Sequence, residues 1–142
     1  MTDILNQIRA DEGYRRFPYV CTAGALTIGY GRNIDKDHGG EGVTESESTV
    51  MLVNNLRSVE QDMERIFPGH WANIDQVRKN ALMNMRYQLG AGGFRGFRRM
   101  IHAVEMRRWD WAAREAINSK WAMQTPTRAF RVADELRDGI SL

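Results

Sequence analysis

Apolar and polar positions alternate with two different periods along this chain, and the change of period divides it. Ile4, Leu5 and Ile8 recur on one side of a helix over residues 2–12, with Thr2 at the N-cap position and Gly13 ending it. From Phe17 to Tyr30 the period becomes two: Phe17 and Tyr19, then Leu26, Ile28 and Tyr30, with Ala23-Gly24 as a turn. This predicts a small hairpin or meander. After a polar loop ending in Gly39-Gly40-Glu41-Gly42, Thr44 and Glu47 have the spacing of a capping box. They open a long helix carrying Leu52, Val53, Leu56, Val59 and Met63, which Pro68-Gly69 stops. A further helix is expected from an N-cap at Asn73 to Leu89, before Gly90, with Ala81, Leu82, Met85 and Leu89 as its apolar stripe. Short helices over 98–107 and 110–119 follow. Thr125-Pro126 then opens a last helix that closes at Gly139.

The fold class that follows is α+β and mainly helical. A small β-containing N-terminal lobe and a helical C-terminal lobe are joined by a long helix. The division expected is one domain over 1–142. Its lobes are 13–43 and 67–142 together with residues 1–12, linked by the helix over 44–66.

Composition narrows the function classes. Apolar residues make up 42% and charged residues 27%, which fits a folded domain rather than a disordered or membrane-embedded chain. The N-terminal residues lack a basic stretch followed by an apolar one, so no secretory signal is expected. A lone cysteine, Cys21, excludes an intrachain disulfide, and His38, His70 and His102 lie at no ligand spacing, so no metal is assigned. Residues 1–70 carry 7 basic and 11 acidic side chains, a net of −4; residues 71–142 carry 13 and 7, a net of +6. A basic half suits an anionic polymer, although solvated helix faces account for the same charge. No nucleic-acid motif accompanies it.

Three residues are candidates for chemistry. Glu12 sits at the C-terminal end of the first helix, where the negative end of the helix dipole favours the neutral acid. A glycosidase needs such a group to protonate a leaving oxygen, while a surface glutamate in a last helical turn has the same appearance. Cys21 and Thr27 follow on the strand segment, and each alone reads as an ordinary strand residue.

Taken as a whole, Glu12-Gly13-Tyr14-Arg15, Tyr19, Gly24 and Leu26-Thr27-Ile28-Gly29-Tyr30-Gly31 resemble the start of the T-even phage lysozyme family, glycoside hydrolase family 24. That family spaces a glutamate, an aspartate or cysteine, and a threonine in a T-I-G-x-G run as Glu12, Cys21 and Thr27 are spaced here. The resemblance continues through Val43-Thr44 with Glu47, Asn84–Gly90, Arg108-Trp109-Asp110 with Ala112-Ala113, and Trp121–Ala129.

The resemblance implies an inverting muramidase that cuts the β-1,4 bond between N-acetylmuramic acid and N-acetylglucosamine. Bacterial peptidoglycan is its partner, it needs no cofactor, and a monomer that binds neither nucleic acid nor membrane is expected. A phage or prophage product held in the host cytoplasm until released to the wall fits the missing signal. By resemblance, Glu12 is the general acid, Thr27 hydrogen-bonds the attacking water, and Cys21 takes the place of the aspartate that positions it. Tyr87 and Gln88 line the saccharide cleft, Gly31 lets sugar approach the backbone, and Arg128 approaches Glu12 and supports the site. Two residues depart from the commoner pattern. Cys21 stands where aspartate is better known, and a thiol with an ordinary pKa of about 8.5 is largely neutral at pH 7. That motivates the alternative of a lysozyme-fold module that binds peptidoglycan or a protein partner without cutting. Arg32 stands where many members have histidine, which puts in doubt a structural ion pair built on that histidine.

Overall fold

The computed structural model describes residues 1–139, so the expected C-terminal limit at 142 lies outside the described residues. Its architecture is α+β and mainly helical, with one small sheet. The chain forms two compact units, Met1–Met51 and Leu52–Leu142.

The first unit opens with helix α1 (Thr2–Glu12). The N-cap is Met1 rather than Thr2, with no side-chain cap, so Thr2 is spent as the first helical residue. Gly13 ends the helix as expected, its N–H returning to Arg9 O. The stripe of Ile4, Leu5 and Ile8 stays exposed, and α1 buries no residue.

Strands β1 (Arg15–Val20), β2 (Leu26–Gly29) and β3 (Arg32–Asn33) form an antiparallel meander in that order. Arg15 pairs with Gly29 and Tyr19 with Thr27, with a bulge between. Pro18 lies inside that bulge, and having no N–H to donate it cannot continue a regular ladder. The buried side of β2 differs from the side marked by the apolar alternation. Ala25 and Thr27 are buried, whereas Leu26 and Tyr30 are about two-fifths exposed. The inward parity is therefore the one with small residues, and it leaves space above the Cys21–Ala25 turn.

Helix α2 (Glu45–Ile66) begins in the first unit and carries the boundary between the two. The capping box is formed in full. Thr44 N donates to Glu47 Oε2 at 2.9 Å, and Glu47 N donates to Thr44 Oγ1 at 3.2 Å. The same Glu47 carboxylate receives Arg32 in a two-pronged pair, Nη1 to Oε1 at 2.7 Å and Nη2 to Oε2 at 3.2 Å. Arg32 thus supplies an ion pair of its own where the sequence left one in doubt, and it ties β3 to the start of α2. Along α2 only the later part of the apolar stripe, Val59 and Met63, is buried; Leu52 and Val53 remain exposed.

The second unit continues with α3 (Gln76–Arg95), α4 (Arg98–Glu105), α5 (Trp109–Ile117), α6 (Lys120–Gln124) and α7 (Pro126–Asp138). The expected N-cap at Asn73 is displaced. Residues Trp71–Asn73 form a 3-10 turn, and Asp75 caps α3 by accepting from Arg78 N at 3.1 Å. The buried Trp71 and Ile74 hold the chain in that turn, which leaves Asp75 as the first free side chain ahead of the helix. At Gly90 (φ 76°, ψ 170°) the helical path breaks where the sequence placed its end, and a further helical turn follows to Arg95. Thr125 sits in the cap position of α7 as expected, but its hydroxyl turns back to donate to Trp121 O at 3.1 Å. Gly139 closes α7 in the left-handed conformation.

The core of this unit is built from Met63, Phe67, Leu82, Met85, Phe94, Met100 and Leu136, all fully buried, with α5 and α7 packed together. Among the described residues no helix is long and apolar enough to cross a membrane.

One polar cluster is buried beside that core. Asp62 of α2 receives Arg86 Nε at 2.7 Å and Arg95 Nη2 at 2.6 Å, both from α3. The Arg95 hydrogen bond first, then that of Arg86, holds the Asp62 carboxyl below its ordinary range. Asp62→Asn should therefore cost about 2 kcal/mol at neutral pH. That is less than the about 3–5 kcal/mol of a fully buried pair, because Arg95 is partly solvated. A lowered carboxyl pKa stabilises the fold above the ordinary value of about 3.9 and loses that contribution as the pH falls through the folded value. Urea titrations of both proteins should show the gap at pH 7 and its closure only as acid carries the pH below the ordinary carboxyl range and through the lowered folded value. A gap unchanged by acid would contradict the ionic origin.

Candidate active site

Glu12 owes its position to the end of α1 and the turn at Gly13. Two aromatic contacts hold that end against the meander: the Tyr14 and Tyr30 rings lie 5.6 Å apart, and the Arg9 guanidinium lies 5.7 Å from the Tyr30 ring. The Glu12 carboxyl then rests against Gly31. A methyl group added at Gly31 would stand 2.7 Å from Glu12 Oε2 and 3.0 Å from Cδ. Gly31 also has φ +75°, so glycine is required there both for its backbone and for the space the acid occupies. In the chain itself, then, the close approach at Gly31 is made by the Glu12 carboxyl.

Across from Glu12, the Cys21–Ala25 turn is closed by Cys21 N to Ala25 O at 2.9 Å and Gly24 N to Cys21 O at 2.9 Å. Cys21 is half-buried and free. The Ala25 N–H first, then the Thr27 hydroxyl, stabilise its thiolate and lower its pKa from the ordinary thiol range. Thr27 is buried, and its hydroxyl donates to Ala25 O at 2.9 Å. A hydroxyl has one proton, so at any instant it serves Ala25 O or the Cys21 sulfur. While it serves Ala25 O, its lone pairs remain free to accept from a water.

Glu12, Cys21, Thr27 and Gly31 line one cavity of about 370 Å³ in the first unit, which Tyr19, Asn33 and His38 complete. The Arg15 guanidinium lies over the Tyr19 ring at 4.5 Å from its centroid. Sequence reading missed His38, noting it only as a histidine at no metal spacing. Its partner Asp35 does carry a local signal, that of an Asx cap. Asp35 Oδ1 accepts from Asp37 N at 3.0 Å at the head of the 3-10 turn Lys36–His38.

Three site residues expected from the sequence belong to the second unit. Gln88 Oε1 accepts from Trp121 Nε1 at 2.8 Å. Arg128 Nε donates to Asn84 Oδ1 at 2.7 Å and Nη2 to Asn84 O at 3.3 Å, bracing α7 on α3. Tyr87 is exposed and lines a hollow with Asn55, Ser58 and Arg86. A larger hollow of about 620 Å³ lies beside Phe97 and Trp121. The one carboxylate lining it, Glu115, accepts from Trp111 Nε1 at 3.1 Å, so acid–base chemistry is better served by the smaller cavity.

Comparison with known proteins places the chain in a family. Residues 9–130 match the phage lysozyme family model. The chain is 28% identical to the protein named "Probable T4-type lysozyme 1" of Dictyostelium discoideum, over 98% of this chain and 96% of that protein. It is 30% identical to the "Pre-baseplate central spike protein Gp5" of Enterobacteria phage T4, over 88% of this chain and 26% of that one. It is 33% identical to a "SAR-endolysin" of Bacteriophage PS119, over 59% of this chain and 48% of that one. The family match covers both the meander that carries Glu12, Cys21 and Thr27 and most of the helical unit, and the chain belongs to the phage lysozyme family of glycoside hydrolases.

Proposed function

We propose that this chain is an inverting muramidase that hydrolyses the β-1,4 bond between N-acetylmuramic acid and N-acetylglucosamine in bacterial peptidoglycan. The observation that carries the reading is the gathering of Glu12, Cys21 and Thr27 around one cavity with an acid seated on Gly31. Glu12 donates its proton to the glycosidic oxygen as the bond to C1 breaks. A water held by the Thr27 hydroxyl and the Cys21 sulfur attacks C1 from the opposite face. Tyr87 and Gln88 are carried over from the resemblance as saccharide-binding residues and Arg128 as a site-supporting one. The reaction needs no cofactor. A phage or prophage origin, action as a monomer, and release to the wall for host-cell lysis complete the proposal.

Inversion has a direct test. Proton NMR of a soluble peptidoglycan fragment during cleavage should show the α-anomer as the first product from the β-linked substrate. A β-anomer appearing first would point to a covalent intermediate, with Cys21 as its nucleophile. No cleavage at all would favour a module that binds peptidoglycan without cutting it.

A further inference from the structure

His38 lines the same cavity as the proposed acid, with Asp35 paired to it from behind, and nothing in the proposed chemistry uses the pair. Attack by water requires a group to take its proton. Four side chains lining the cavity can exchange protons: Glu12, Tyr19, Cys21 and His38. Glu12 is occupied as donor. A phenol is too weakly basic once neutral. The donors that stabilise the Cys21 thiolate, the Ala25 N–H first and then the Thr27 hydroxyl, lower its pKa and so make its sulfur a weaker base than an ordinary thiolate. An imidazole is the side chain suited to proton exchange near neutral pH.

Its orientation is fixed at both ends. Asp35 Oδ2 lies 3.0 Å from His38 Nδ1 and also accepts from Leu26 N at 3.0 Å. The Leu26 N–H above all, with Asp37 N–H and His38 adding, holds the Asp35 carboxyl below its ordinary range. An ionised carboxylate can only accept, so Nδ1 carries the proton of the neutral ring and Nε2 keeps its lone pair. The backbone of the same residue is held by His38 N to Asp35 O at 3.1 Å and Asn33 Nδ2 to His38 O at 3.0 Å. Nε2 has no protein partner among the described residues. It faces the Cys21–Ala25 turn, where a methyl group added at Gly24 would lie 3.6 Å from it.

We propose that His38, oriented by Asp35, is the proton acceptor for the attacking water in this chain. This rests on the muramidase reading above. As the water oxygen bonds to C1, its proton passes to His38 Nε2. The C1–oxygen bond breaks at the same time, and its electron pair takes the proton of Glu12. The ring then carries one added proton and Glu12 one negative charge, and exchange with solvent restores both.

The test measures kcat and KM on soluble peptidoglycan fragments for the wild type, H38A, H38Q, C21D and the C21D/H38A double variant, with E12Q as control and thermal midpoints for all. H38A and H38Q should each lose about a hundredfold in kcat with little change in KM or midpoint. In the C21D background a carboxylate beside the water can take the proton, so C21D/H38A should cleave about as fast as C21D. H38Q within about twofold of wild type would overturn the proposal. So would a double variant as slow as H38A, since a merely structural role for His38 would not be rescued by a carboxylate at position 21. Cleavage by wild type with none by E12Q would leave the muramidase reading standing in either case. An inactive wild type would overturn both.

Discussion

Replacing Glu12 with glutamine is expected to slow peptidoglycan cleavage at least about a hundredfold while leaving the fold intact. The side chain is exposed, and among the described residues its carboxyl makes no hydrogen bond to protein, so its charge is not part of what holds the first unit together. Glutamine fills the same space against Gly31 and retains polar atoms, but it has no proton to give to the leaving oxygen. The change thus removes one chemical step and little else. Turbidity loss of outer-membrane-permeabilised cells and a thermal melt check the two halves together. Near-normal lysis would displace Glu12 from the role of acid.

The second large effect is expected at Cys21, where alanine and aspartate should move activity in opposite directions. The Ala25 N–H and the Thr27 hydroxyl stabilise a negative sulfur, so the thiolate is present at lower pH than for an ordinary cysteine. Those same donors would receive a carboxylate. Cys21→Asp should keep or improve activity near pH 6, because an aspartate of pKa about 3.9 is fully charged there. Cys21→Ala leaves a small hole and no acceptor, and should lose much of the activity while staying folded. Iodoacetamide should inactivate the wild type, whose sulfur is half-buried and lines an open cavity, and should spare Cys21→Asp. A packed, inert cysteine gives the reverse order. Alanine would then be nearly neutral, alkylation slow, and aspartate destabilising through a charge without partners.

What the sequence made legible was local. Thr44 and Glu47 are three residues apart, and their reciprocal hydrogen bonds form wherever a helix starts there. The break at Gly90 and the closures at Gly13 and Gly139 likewise depend on single residues. Glu12, Cys21 and Thr27, which line one cavity, were singled out by spacing and resemblance, because periodicity alone made each an ordinary strand or helix residue.

What depended on distant partners was not legible. Asn73 is a good cap by composition, but burial of Trp71 and Ile74 moved the start of the helix to Asp75. In β2 the larger apolar residues marked one side, while the buried side holds Ala25 and Thr27. His38 is eleven residues beyond Thr27 and reaches the cavity only because the meander returns and Asp35 caps both Leu26 and the 3-10 turn. The Arg32–Glu47 pair joins a strand to a helix fifteen residues away, and neither residue marks the other in the sequence.

The identity of the new chain end tests the proposed activity most directly. Purified peptidoglycan is digested with wild type and with Glu12→Gln, reduced with borohydride, and its sugars are separated and weighed by mass spectrometry. Wild-type digestion should convert reducing N-acetylmuramic acid ends to their alditol in step with loss of turbidity, and the Glu12→Gln digest should yield almost none. Reduced N-acetylglucosamine ends, or solubilised wall carrying no new reducing end of either sugar, would contradict a muramidase acting through Glu12.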